Sequence, residues 1–351
     1  MARLTPHEVL VEDQRSALSF ASEVGAERVR KVLVIAARDL ERRIAHAVNL
    51  RGLDEHTFTL AQMRATLAQV RAVTAAVQAG IASTCLHTGT EAAESGAANT
   101  LSYLKRADEQ FRGAAPPLQL EEASIMDQAQ WGARSSILRR LASSGEPIDG
   151  ADEEAHPAKA GVLERYGTNT IGHFEGVLQR AFITRKPWGE VRDELTEQSP
   201  FLKGAPAHWS ERLVRTEVMA AQNRSGFEVI KAANEELDDM VKILAAHFDE
   251  RTAADSWAVH GQIRRPSEAF QTWQGPMLHP PARPNDRESV VPHRIAWPIP
   301  AYLAWKTDGQ VTERWKKEGR KTAHPPRPLM TTVPLNEFGK ASGGDPDRAA
   351  R

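Results

Sequence analysis

"SERLVRTEVMAAQNRSGFEVIKAANEELDDMVKILAAHF", residues 210–248, changes its periodicity once, and that change decides the fold. Before Leu237, the apolar residues Leu213, Val214, Val218, Ala221 and Val229 recur at helical spacing and predict one buried stripe. Ser210 reads as the N-cap, with Glu211 in the first turn, where a negative charge suits the helix dipole. Beyond Asp238 and Asp239, the short apolar run Met240–Ala246 suits a strand, and "VHGQI" (259–263) is a candidate partner for it. A long helix that runs into short strands predicts a mainly α chain carrying a small α+β module.

Upstream, the chain is helical and rich in alanine. Val29, Leu33, Ala36, Leu40, Ile44 and Ala47 step by three and four, between the charged Arg30, Arg38, Glu41, Arg42 and Arg43. Thr5 and Pro6 read as cap and first turn, and Asn49 and Gly52 as stops. A second helix is expected from about Leu60, through Met63, Leu67, Val70, Val73, Val77 and Ile81. Two more are expected near Glu91–Phe111 and Leu120–Leu141, separated by "RGAAPPL", whose prolines cannot continue a helix. Helices resume with "VLERYGTNTIGHFEGVLQRAFI" and with "PWGEVRDELTEQ", in which Pro187 takes a first-turn position.

These readings divide the chain into an Ala-rich helical domain, 1–142, and a polar, acidic linker, 143–161, broken by Pro and Gly. A domain of helices and short strands follows over 162–295, then a Pro- and Trp-rich, partly basic extension over 296–351 with a disordered end. The N-terminal part is expected to form a long-helix bundle or arm, with apolar faces suited to self-association.

The 351 residues suit two domains and a tail, and a hydrophobic fraction of 41% is enough for a core. Lys and Arg, 45 together, balance 46 Asp and Glu, so global charge gives no argument for nucleic-acid binding. The single cysteine, Cys85, excludes an internal disulfide and a thiolate zinc cluster. The first residues lack the apolar core of a signal peptide, and no stretch approaches the roughly 18–20 apolar residues of a membrane span. A soluble protein with no membrane partner is expected.

Four segments, in order, resemble the phage head-morphogenesis family, the minor head proteins of the phage Mu type. "LVRTEVMAAQNRSGFE" is similar to a family helix with an Arg-Thr-Glu start, here Arg215, Thr216 and Glu217, then Asn223 and the small Gly226. "HFDERTAADSWAVHG" resembles Asp-x-Arg-Thr, a Cys-x-x-Cys pair and His-Gly, matched by Asp249, Arg251, Thr252, His260 and Gly261. Phe270 with the following Gly275 is the third. "PPARPNDRESVVP" resembles Pro-Pro-x-His-Pro-Asn-Cys-Arg-Cys with a following Pro, carried here by Pro284, Asn285 and Arg287. The likeness spans about Val162 to Pro292 and is strongest after Arg212.

The chain departs from this pattern where the family carries cysteines. Ala253, Ser256, Asp286 and Glu288 stand at those positions, and Arg283 replaces the histidine before Pro284. The four cysteines would read as a tetrahedral zinc site, whereas alanine and serine do not supply one. An ionic brace is the expected substitute, with Asp286 and Glu288 facing Arg251, Arg264, Arg265 and Arg283. In the family reading, Arg215 and Glu217, two apart and on different helix faces, brace the helix against the strand region.

The resemblance implies a phage or prophage minor head protein that acts in head assembly by contact with portal, scaffold or major capsid protein. It implies the host cytoplasm during assembly and the virion head afterwards, with no reaction, no cofactor and no metal. The alternative is a metal-dependent hydrolase or nuclease. It would use His247, His260, His279 and His293 with Asp249, Asp255, Asp286 and Glu288, whose spacing fits no metal-binding motif. A third reading is contact with packaged DNA through the basic run "ERWKKEGRK", with Arg314, Lys316, Lys317, Arg320 and Lys321 on phosphates.

Overall fold

The computed structural model describes residues 6–49, 59–111, 113, 118–141, 162–198, 206–246, 254–272, 275–281, 286, 288–299 and 303. The Thr5 cap, the Gly52 stop, the 143–161 linker, the turn prolines 116 and 117 and nearly all of the 296–351 extension lie outside them. The chain is mainly helical, with α1 (Pro6–Asn49), α2 (Leu60–Phe111), α3 (Glu122–Leu141), α4 (Val162–Ile183), α5 (Trp188–Gln198), α6 (Pro206–Leu237) and α7 (Ala254–Val259). Short strands follow α6: β1 (Met240–Ala246), β2 (Ile263–Arg264), β3 (Phe270–Thr272), β4 (Gly275–Met277) and β5 (Glu288–Arg294). No helix among the described residues is long and apolar enough to cross a membrane.

Two expectations are corrected. The separate helices from Leu60 and over Glu91–Phe111 are one helix, α2, of 52 residues. The stripe thins to small and polar residues from Ala82 to Ala97, but Cys85, Thr88, Gly89, Ala92, Ala93, Gly96 and Ala97 are buried. Close backbone approach buries that face without large apolar side chains. Helix α6 starts at Pro206, so Ser210 lies inside it and is not its cap. Proline suits a first helical position at least as well as serine suits a cap.

Local chemistry sets several element ends. Thr59 and Gln62 form a capping box on α2: Gln62 N–H donates to Thr59 Oγ1 at 3.2 Å, and Thr59 N–H to Gln62 Oε1 at 2.8 Å. Helix α4 closes in a Schellman turn, with Arg185 at φ 54° and Lys186 N–H donating to Ala181 O at 3.0 Å. Helix α6 ends similarly at Asp238, φ 51°. There the Asn234 carboxamide oxygen accepts from Met240 N–H at 3.2 Å and turns the chain into β1.

The chain forms two compact units, each assembled from separated segments. Unit 1 contains Met1–Ala21, Gly89–Arg134 and Arg215–Arg351; unit 2 contains Ser22–Thr88 and Ser135–Val214. Unit 2 is helical among its described residues. Its buried residues include Val29, Leu33, Leu40, Val70, Val73, Val77, Ile81, Phe174, Leu178 and Leu195. Glycine permits close approach there: a Cβ on Gly80 would lie 2.8 Å from Val32 Cγ1.

In unit 1, an antiparallel sheet of order β2-β1-β5 packs with helices in a core that includes Leu10, Leu104, Ile125, Val229, Ile230, Ile243, Phe270 and Val291. Ile243 of β1 faces Val291 of β5 on one side and Ile263 of β2 on the other. Every residue of β1 is buried, which explains why it reads as a continuous apolar run rather than an alternating one. β3 and β4 form a separate hairpin pairing Phe270 with Met277. Helices α2 and α6 cross closely here: a Cβ on Gly96 would stand 2.7 Å from Gln222 O, and one on Gly226 would stand 3.0 Å from Thr100 Oγ1.

Candidate functional site: a cross-braced α+β module

Side-chain amides do the work of missing strands in this module. Asn223, buried on α6, donates from Nδ2 to Glu288 O at 3.0 Å and accepts from Val290 N–H at 2.9 Å. A carboxamide carries one donor edge and one acceptor edge, as a peptide unit does. It therefore satisfies the open edge of β5, the terminal strand of the sheet. Gln262 repeats the device on β3: Nε2 donates to Gln271 O at 2.8 Å and Oε1 accepts from Gln271 N–H at 3.1 Å.

Other predicted residues have structural partners. His260 is buried, and its Nδ1 accepts from Ala246 N–H at 3.0 Å, which closes the end of β1. Gly261 sits at φ 81°, where glycine costs nothing sterically, and donates to Leu244 O at 2.7 Å. Phe270 is fully buried. Glu217 is buried, and Arg215 and Thr216 are half-buried on the same helix. Gly226 provides the close crossing with α2 described above.

Two of the four positions aligned with family cysteines come together. Ser256 on α7 donates from its hydroxyl to Asp286 Oδ1 at 3.3 Å, and both residues are buried. Glu288 is buried at the start of β5. Of the arginines in the expected ionic brace, Arg264 donates from its guanidinium to Ile263 O at 2.6 Å and reaches Gln262 Oε1 at 3.4 Å. Glu268 accepts from the Arg265 backbone N–H at 3.0 Å. His247, Asp249, Arg251, Thr252, Ala253, Arg283, Pro284, Asn285, Arg287 and the basic run from Arg314 to Lys321 lie outside the described residues, as does the side chain of Asp255.

The described histidines of the hydrolase alternative, His260, His279 and His293, have separate partners. His260 bonds Ala246; His279 Nδ1 lies 3.0 Å from Pro280 O; His293 pairs with His7 and Trp297. Among the described residues no group of three His, Cys, Asp or Glu side chains is arranged to hold a metal ion.

Sequence reasoning missed two features of the module. Lys242, in the middle of β1, is fully buried. Its ammonium donates to Pro266 O at 3.0 Å and Leu278 O at 2.8 Å, and lies 4.7 Å and 4.9 Å from the ring centres of Phe227 and Phe270. Burial, partly opposed by Glu268 and reinforced by Arg264, pushes its pKa down to about 7. Because β1 is covered on both faces, the position of a lysine in the run carried no signal.

The second feature is Arg294, at the end of β5. It is forked onto Asp239, with Nε 2.9 Å and Nη2 2.8 Å from Oδ2, and also donates to Asp108 Oδ1 at 3.0 Å. Asp108 Oδ2 in turn accepts from Leu118 N–H at 3.0 Å. The two carboxylates raise the Arg294 pKa against the opposing effect of burial. The chain matches no protein-family model, no curated protein and no solved structure.

Proposed function

We propose that this chain is a phage or prophage minor head protein that acts in head assembly by recognition rather than by catalysis. One observation supports this reading most: segments singled out by their resemblance to the family, far apart in sequence, are joined to one another. Asn223 binds the backbone of 288 and 290, and Ser256 binds Asp286. Side-chain hydrogen bonds thus link segments that cysteines or a metal would link in the family pattern.

In this reading the module is a rigid docking surface for portal, scaffold or major capsid protein. The long helices offer further faces for partner helices or for self-association. The basic run from Arg314 to Lys321 is the proposed contact with packaged DNA. The protein would act in the host cytoplasm and then reside in the head. The test is mass spectrometry of heads purified through a density gradient, with portal protein as the internal reference. A fixed ratio of this chain to portal is expected. Heads of normal yield and composition that form in its absence, and never contain it, would refute the proposal.

A further inference from the structure

Two histidines outside the proposed docking module's braces meet inside unit 1. His7, in the first turn of α1, and His293, near the end of β5, are both fully buried. His7 Nε2 lies 3.3 Å from His293 Nδ1 and 2.6 Å from the Tyr103 hydroxyl. His293 Nε2 lies 3.1 Å from Trp297 O. Tyr103 and Phe111 pack on His7, and Trp297 packs edge-on against His293.

The partners fix the protons. A carbonyl only accepts, so His293 Nε2 carries a proton, and Nδ1 of the neutral ring is a lone pair. His7 then presents its own proton from Nε2 to that lone pair, with the Tyr103 oxygen also within reach. The other His7 nitrogen, Nδ1, is left as a bare lone pair, and it is indeed buried without a hydrogen-bond partner. An under-used acceptor is tolerated in a protein interior more readily than an orphaned N–H. In the neutral pair, each ring proton has an acceptor.

An added proton has no suitable place. On His7 Nδ1 it would be a buried N–H without an acceptor, on a charged ring. On His293 Nδ1 it would point at the N–H of His7 and break their bond. Among the described residues of the neighbouring elements, the carboxylates Asp108 of α2 and Asp239 before β1 are both engaged by Arg294 of β5. The Arg294 guanidinium, next to His293 in sequence, lies 6.0 Å from the centre of the Trp297 ring. On α1, half-buried Glu8 is turned about 100° round the helix from His7. Burial first, and then the charge of His293, hold His7 at a pKa of about 3. Burial also holds His293 at about 4, against the opposing effect of its bond to Trp297 O.

We propose that the His7–Tyr103–His293 cluster is an acid-sensitive latch that holds residues 6–21 of α1 on unit 1 and releases them on protonation. Release separates the two rings and gives both access to water, where they protonate near the ordinary pH of about 6.5. The latched state therefore keeps its full advantage above that pH and loses it progressively as the pH falls toward 4. Leu10 leaves the core with the segment, as does the bond from Gln222 Nε2 to Gln14 O, 3.1 Å. β1 and β5 remain paired, because their ladder takes no part in the proton conflict.

The test is hydrogen exchange of the full wild-type chain followed by mass spectrometry between about pH 7.5 and pH 5, corrected for intrinsic rates. Below about pH 6.5, peptides within 6–21 are expected to lose protection by about tenfold per pH unit for each coupled proton, ahead of peptides from β1 and β5. His293→Gln should flatten that slope. If the variant does not fold, 15N chemical shifts of the histidines in the wild type provide the second readout. Protection over 6–21 that ignores pH, loss that occurs together across unit 1, or a charged His7 or His293 in a chain whose first helix stays protected would each overturn the latch.

Discussion

The helices of unit 2 and the α+β module of unit 1 are held by different kinds of bond. Unit 2 buries mostly aliphatic residues in stripes, and its α1 surface ion pairs, such as Arg43 with Asp39 at 2.7 Å, are exposed. Such pairs contribute well under about 1 kcal/mol each. The module instead buries Asn223, Lys242, His260, Gln262, Arg264, Asp286 and Glu288. Short strands bury too little apolar surface to fix their own positions, so directional bonds to the backbone do it. Stripe packing tolerates small changes, whereas a polar brace fails as soon as one partner is removed.

The contrast predicts a ranked series of effects. Asn223→Ala orphans a buried carbonyl and a buried N–H on β5, and should destabilise unit 1 by about 3 kcal/mol in urea unfolding. A cost below about 1 kcal/mol would mean that water replaces the amide. Arg294→Ala removes the shared cation from Asp108 and Asp239, and leaves Asp108 its bond from Leu118 N–H. Because Asp239 is partly exposed, the expected cost is about 2 kcal/mol, below the range for a fully buried pair.

The glycines compare the two regions directly. In unit 1, a Cβ on Gly96 would stand 2.7 Å from a backbone oxygen, while in unit 2 one on Gly80 would meet a valine methyl. Gly96→Ala should cost about 1 kcal/mol net, and Gly80→Ala close to nothing, because the helix-propensity gain of alanine offsets a movable neighbour. Equal thermal shifts for the two would contradict the distinction.

Lys242→Met removes the donor to Pro266 O and Leu278 O, and its effect carries a sign with pH. With a folded pKa of about 7 against an ordinary 10.5, the unfolded chain holds a proton between those values that the folded chain has lost. Wild-type stability should therefore rise with pH across that window. The variant should lose most of that rise. A wild type whose urea midpoint falls from pH 7 to pH 9 would refute the assignment.

Much of the fold was legible in the sequence, for identifiable reasons. Helix α4 and strand β1 match the stretches read from periodicity, and α1 ends at the expected Asn49. These elements bury strong stripes or runs. The fusion of two expected helices into α2 was not legible, because small residues at a close crossing leave no hydrophobic signal. "VHGQI" does pair with β1, through Gly261, Gln262 and Ile263, although β2 itself begins only at Ile263, since His260 and Gly261 are used in the turn. Asn223 was marked by resemblance, although its partners at 288 and 290 could not be read from spacing. Lys242 and Arg294 gave no warning, because their partners are backbone carbonyls and distant carboxylates. His7 did leave a faint signal: it shares a helical stripe with Leu10, Gln14 and Leu18, all buried.

The central claim is that directional bonds from α6 fix the edge of the sheet. Native-state hydrogen exchange at Val290 tests it most directly, because its N–H donates to the Asn223 side chain. In the wild type that amide should exchange as slowly as those of β1. In Asn223→Ala it should exchange at least about tenfold faster, while amides of residues 60–88 keep their protection. Rapid exchange at Val290 in the wild type, or an equal loss over residues 60–88 in the variant, would contradict the account.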